Sequence, residues 1–161
     1  LAGLSGCGGI IAQQARPASE EEIAMRQFCI ELAVRDYECD LQGVVNNAVY
    51  QNYLEHARHE FLKSRGLDFA RLTEQGVYVM LVRAELDYLR SLRSGDLFRI
   101  SVKTERVSRL RMAFLQQVTL IDGEVPVLNA RFVTAALNAR GRPCFPAVLE
   151  ALLATAAIER A

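Results

Sequence analysis

Ile30, Leu32 and Val34 alternate with Glu31, Ala33 and Arg35, which is the period of a half-buried strand. The alternation stops at Asp36. A loop follows that carries one acid (Asp40), one glycine (Gly43) and an amide pair (Asn46, Asn47). From Ala48 the apolar period lengthens. Tyr50, Tyr53, Leu54, Ala57, Phe61 and Leu62 recur at helical spacing and leave Gln51, Glu55, Arg58, His59 and Lys63 mostly on the other side. Asn46 or Asn47 suits the N-cap, because a short amide oxygen accepts from free N–H groups of the first turn. Gly66, just behind Lys63 and Arg65, marks the C-terminal stop, with cations against the negative end of the helix dipole.

Residues 67–75 read as a connector with one helical turn near Phe69 and Leu72. Over 77–90, Tyr78, Met80, Val82, Ala84, Leu86 and Tyr88 form an unbroken apolar set. The other set runs Val77, Val79, Leu81 and then Arg83, Glu85, Asp87, so a long strand with one face buried throughout is expected. Strands are also expected over 96–107, 111–121 and 125–138. Asp122-Gly123 forms a hairpin between the last two, and Pro126 fits only near a strand start. Residues 139–143 close the final strand, and 146–158 read as a short helix with Pro146 near its first turn. The expected class is α+β: a five-stranded antiparallel sheet, one long helix on its face, and a short C-terminal helix.

A chain of 161 residues with 51% hydrophobic and 24% charged content supports one packed domain. Lys plus Arg and Asp plus Glu both number 19, so nothing in the net charge favours nucleic acid, and self-repulsion does not oppose association. Cys7, Cys29, Cys39 and Cys144 show no metal-ligand spacing, and with two histidines no metal site or bound cofactor is expected. Reduced thiols fit a cytoplasmic compartment, or a plastid in a plant. Residues 1–25 fall outside the periodic pattern. They are expected to form a flexible N-terminal tail ahead of a domain over 26–161, their apolar start being too short for a membrane span.

The chemistry is concentrated between strand and helix. A carboxylate a few residues before a helix start lies near unpaired N–H groups that favour developing negative charge. A carbonyl docked there would be polarised, and the acid would attack its carbon or activate water. The competing reading is structural: Asp40 makes an Asx turn and Gly43 permits a positive φ.

The run Asp40-Leu41-Gln42-Gly43-Val44-Val45-Asn46-Asn47-Ala48-Val49-Tyr50, then Tyr53-Leu54-Glu55-His56-Ala57-Arg58-His59-Glu60-Phe61-Leu62 and Gly66, resembles the signature of hotdog-fold acyl thioesterases. Within that group it is most similar to the 4-hydroxybenzoyl-CoA thioesterase family, and in wording to the plant acyl-lipid and methylketone-synthase thioesterases. The resemblance implies a sheet wrapped around the long helix and hydrolysis of acyl-CoA or acyl carrier protein thioesters. It implies Asp40 as catalytic carboxylate, nucleophile or general base. It implies a thioester-carbonyl site at the helix start, drawn from Gly43, Val45, Asn46, Asn47, Ala48 and Val49. Members acting on 4-hydroxybenzoyl groups carry an aromatic residue where Asn47 stands, so fatty or 3-oxoacyl chains are favoured and aromatic or naphthoyl thioesters are the alternative. A non-catalytic acyl-thioester binding module of the same fold is the alternative from another class. Glu60 is a candidate secondary acid, since some hotdog thioesterases use a helix carboxylate. Arg106, Arg109 and Arg111 around one turn, and Arg140 and Arg142 around another, are candidate contacts for coenzyme A phosphates or an acidic carrier. Hotdog relatives pair their sheets edge to edge, so a homo-oligomer, dimer or tetramer, is expected.

Overall fold

The computed structural model describes residues 28–158, and the tail expected over 1–25 lies outside them. Six strands make one antiparallel sheet: β1 (Cys29–Ala33), β2 (Tyr78–Tyr88), β3 (Leu97–Ser108), β4 (Arg111–Leu120), β5 (Val125–Leu137) and β6 (Pro143–Cys144). The order across the sheet is β1-β3-β4-β5-β2, with β6 on β5. Helix α1 (Asn47–Ser64) covers one face, α2 (Phe69–Glu74) follows it, and α3 (Ala147–Ile158) packs near β3. This is the hotdog arrangement. The sixth strand was not expected. β4 begins opposite Ala135, which leaves the edge of Ala136 and Leu137 free, and β6 fills it. Two residues are too few to show a period.

Tyr50, Tyr53, Leu54, Ala57, Phe61 and Leu62 are all buried, as the helical period predicts. Tyr53 packs on Phe98, and Phe61 meets Phe114 and Phe28 edge-on. The N-cap is Asn46, whose side chain accepts from Ala48 N–H at 2.9 Å. At the other end Gly66 has φ +73°, and two bonds close the helix: Gly66 N–H to the Lys63 carbonyl and Leu67 N–H to that of Leu62, both 2.9 Å. A left-handed residue at this point is what lets the chain reverse and satisfy those carbonyls.

β2 departs from its sequence pattern. Leu81 pairs with Thr134 and Arg83 with Val133, so Val82 is an extra residue in the ladder. A bulge shifts the alternation by one. The helix-facing set is therefore Val79, Leu81, Ala84, Leu86 and Tyr88, as the register with buried Ala136, Thr134, Phe132, Ala130 and Leu128 requires. Tyr78 and Met80 face the other way. The strand is also an edge, and α1 packs toward β1 and β3 rather than toward it. Tyr78, Met80, Leu81, Val82 and Tyr88 are thus exposed, not buried throughout.

Glu38, in a 3-10 turn spanning Asp36–Glu38, is one of the few charged residues in the interior, with 7% exposure. Tyr53 Oη donates to its Oε2 at 2.5 Å, Arg35 N–H to the same oxygen at 2.8 Å, and Arg35 Nη1 to Oε1 at 3.2 Å. Burial by itself would raise the Glu38 pKa; the bonds from Tyr53 and Arg35 outweigh it and hold the carboxyl below its ordinary value. A depressed carboxyl pKa adds stability above the unfolded value, and that stability is lost as pH falls through the folded one. Tyr53→Phe should therefore lower unfolding stability at pH 7 by about 1.5–3 kcal/mol, the range for a bond to a charged group. In urea titrations the gap to the parent chain should shrink as pH drops from neutral through the carboxylate range. A gap that is constant with pH would mean that the hydroxyl does not act through the Glu38 charge.

Candidate active site

The segment between β1 and α1 is tied at both ends. Cys39 and Val45 form an antiparallel bridge, Asp40 N–H donates to the Val44 carbonyl (2.9 Å) and Gly43 N–H to that of Asp40 (3.0 Å). Gly43 has φ +73° with open space where a Cβ would stand, so the backbone conformation and not crowding requires glycine. Asp40 Oδ1 accepts from Gln42 N–H at 2.8 Å, so the Asx turn exists. The residue is exposed, and its Oδ2 meets no donor among the described residues. The structural and chemical readings of Asp40 thus use different oxygens.

The β2–β3 loop braces the start of α1. Val45 N–H donates to the Leu92 carbonyl and Leu92 N–H to Tyr50 Oη, both at 2.9 Å, with Leu92 fully buried. Burial raises the Tyr50 pKa, and the phenol stays neutral as an acceptor. Tyr88 Oη donates to the Asn47 carbonyl at 3.0 Å and its ring meets Tyr50 edge-on. The first turn of α1 is therefore fixed against the end of β2.

Most of the expected carbonyl-binding N–H groups are already in use. Gly43 donates to Asp40, Val45 to Leu92, Asn46 to the Glu38 carbonyl at 3.0 Å and Val49 to the Asn46 carbonyl at 2.9 Å. Ala48 donates to the Asn46 side chain. Asn47 N–H alone of that set has no acceptor among the described residues. The set read from the sequence (Gly43, Val45, Asn46, Asn47, Ala48, Val49) narrows to Asn47, because capping and loop closure consume the donors around it.

Two grooves flank α1. One of about 590 Å³ lies toward β1, lined by Leu32, Arg35, Glu38, Asn52, Tyr53 and His56 among others. The other, about 330 Å³, lies toward β2 and includes Arg58, Val79, Leu81, Phe114 and Thr134. Met80 and Leu81 border this second groove. Met112 is packed in the core, and Leu115 is opposite Lys103 and Arg131 on the outer face.

The remaining candidates are dispersed. Glu60 pairs with Lys63 at 2.9 Å, and that bond holds its carboxyl below the ordinary range; it lines neither groove. Arg106 pairs with Glu150 and stacks over Phe145 at 4.2 Å, so it ties α3 to the sheet. Arg109, Arg111, Arg140 and Arg142 are exposed at their turns. His59 is 3.9 Å from Glu55.

Sequence reasoning missed Glu38, Tyr88 and Arg58. Arg58 was placed on the solvent side, yet its guanidinium stacks 4.1 Å from the Phe132 ring centroid and donates to Gln116 Oε1 at 2.9 Å. The signal was present: Arg58 stands four residues after Leu54 and four before Leu62, on the apolar stripe itself.

A model of the Thioesterase-like superfamily matches residues 34–153. Over 114 residues the chain is 38% identical to the chloroplastic acyl-acyl carrier protein thioesterase ATL3 of Arabidopsis thaliana, covering 71% of this chain and 60% of that protein. The chain thus spans about three fifths of the length of the first curated relatives it matches. The crystal structure of a hypothetical protein from Aquifex aeolicus is 30% identical with a TM-score of 0.70, over 78% of this chain and 98% of that one. A 1,4-dihydroxy-2-naphthoyl-CoA thioesterase from Synechocystis shares the fold at 17% identity, with a TM-score of 0.75 over 80% and 96% of the two chains. With three quarters of its length matched by the family model, the chain belongs to the thioesterase-like superfamily.

Proposed function

We infer that the protein hydrolyses acyl thioesters carried on coenzyme A or acyl carrier protein, with fatty or 3-oxoacyl chains favoured. The observation that carries the reading is the loop before α1, where an unengaged carboxylate oxygen of Asp40 and the unengaged N–H of Asn47 occur together. The thioester carbonyl oxygen accepts from Asn47 N–H at the positive end of α1, which draws electron density from the carbonyl carbon. Asp40 then adds to that carbon, expelling the thiolate and leaving a mixed anhydride for water to cleave. Alternatively it takes a proton from the water that adds. Both routes give free acid and thiol. The acyl chain lies along the apolar residues of β2 that begin at Tyr88 beside Asn47 and run through Leu86 and Ala84 to Leu81.

That lane is open on one side, and we assign its cover to a second copy of the chain. The outer edge of β2 pairs with nothing among the described residues, and exposed apolar side chains flank it. An unprotected edge of this length favours strand pairing. Light scattering at micromolar concentration should give at least twice the chain mass of 17.9 kDa; a monomer would remove the cover from the site.

Asp40→Asn is the informative variant. The amide oxygen can still accept from Gln42 N–H, so the turn is kept while the charge is lost. Turnover of the best acyl-CoA should fall by at least about 100-fold, with an unchanged circular dichroism spectrum. Near-normal turnover would leave Asp40 with its turn role alone.

Aliphatic acyl-CoA substrates should have higher kcat/KM than benzoyl-CoA, rising over several carbons. Each buried methylene adds about 0.8 kcal/mol, roughly a fourfold gain per carbon. A benzoyl or naphthoyl thioester ahead of every aliphatic one would assign the site to aromatic acyl groups instead.

A further inference from the structure

The groove on the β2 side is lined by apolar side chains of the sheet and by charged and polar ones from α1. Val79, Leu81, Phe114 and Thr134 line it from the sheet, and Arg58, Glu55 and His59 line it from α1. The Arg58 guanidinium is held from two sides. Its face lies on Phe132, and its Nη1 donates to Gln116, whose own Nε2 donates to the Leu54 carbonyl at 2.9 Å. Gln116 is buried, so this brace is rigid. Among the described residues no carboxylate is within ion-pair distance of Arg58, and its other N–H groups have no acceptor. Burial pushes its pKa down to about 10, opposed only by the more distant charge of Glu55. A guanidinium offers five donors in a fixed fork, and most of this one is unspent. A partly desolvated cation is a costly way to end a pocket meant for hydrocarbon alone.

We propose that Arg58 is a specificity residue at the far end of the acyl site, selecting chains that carry a hydrogen-bond-accepting oxygen remote from the thioester. The proposal rests on the thioesterase reading above for its placement of the thioester at Asn47. Arg58 stands about 16 Å along α1 from Asn47. At about 1.25 Å of reach per tetrahedral carbon–carbon bond, a chain of twelve carbons reaches about 14 Å, and its terminal oxygen and the length of the Arg58 side chain cover the remainder. A hydroxyl, keto or carboxylate oxygen at the end of such a chain meets the free edge of the guanidinium. The Phe132 stack keeps the cation in plane for it.

The test compares three substrates of equal length on the full chain: dodecanoyl-CoA, 12-hydroxydodecanoyl-CoA and the mono-CoA thioester of dodecanedioic acid. At least one oxygenated substrate should exceed dodecanoyl-CoA about tenfold in kcat/KM, and Arg58→Met should bring that ratio to unity or below. Which of the two leads separates a neutral oxygen from a carboxylate. Dodecanoyl-CoA hydrolysed as well as both others by the parent chain overturns the proposal and leaves the thioesterase reading standing. Where no thioester is cleaved, calorimetric binding of the three free acids decides. Tighter binding of an oxygenated acid, lost in Arg58→Met, keeps the proposal and removes the activity; equal binding removes both. Should Arg58→Met not fold, Leu81→Trp fills the same groove from its exposed wall and must abolish the oxygenated preference, which persists only if the proposal is wrong.

Discussion

Glu38 brings a full charge into a nearly closed site, and three donors from two segments hold it there. An ionised carboxylate is tolerated in such a place only when its lone pairs are satisfied. Two of the donors come from Arg35 at the end of β1 and one from Tyr53 in the second turn of α1. Its backbone carbonyl meanwhile accepts from Asn46 N–H. The same residue therefore ties the strand, the loop and the helix cap. With the turn about Glu38 fixed, Cys39 and Val45 can bridge, and the short loop between them has one course. The exposure of Asp40 and the freedom of Asn47 N–H both follow from that course.

The helix is not centred on its sheet. It packs over β1 and β3 and leaves β2 with little above it. Packing toward one edge gives the aromatic contacts with Phe28, Phe98 and Phe114 and creates a lane along the other edge. The Tyr88 bond to the Asn47 carbonyl fixes the mouth of that lane at the first helical turn.

Much of this was legible in the residues, for identifiable reasons. All six apolar positions of α1, its cap at Asn46 and its stop at Gly66 follow from local rules that need no tertiary information. The strands from 97 to 137 follow from alternation and from the turn at Asp122-Gly123. What was not legible depended on partners distant in sequence. The pairing of Val82 is decided by β5, about fifty residues on. A helical wheel sets Arg58 on the apolar stripe, but the ring of Phe132 and the amide of Gln116 that receive it lie on distant strands. Glu38 reads as one more polar loop residue until Tyr53 is folded against it. A sequence shows which N–H groups begin a helix and not which ones the cap has taken, so it does not separate Asn47 from its neighbours.

The bulge at Val82 makes parity a property of this protein. Residues before and after it obey opposite odd–even rules, so which face a position joins depends on a single unpaired residue. A substitution in β2 acts where it occurs, whereas pairing Val82 into the ladder at unchanged chain length would turn the strand's start over, sending Tyr78 and Met80 inward and Val79 and Leu81 out. Two relatives that differ there can align without a gap elsewhere and still line their grooves with different columns of the alignment. Reading one member's acyl preference from another therefore requires knowing whether this strand is bulged before comparing their identities.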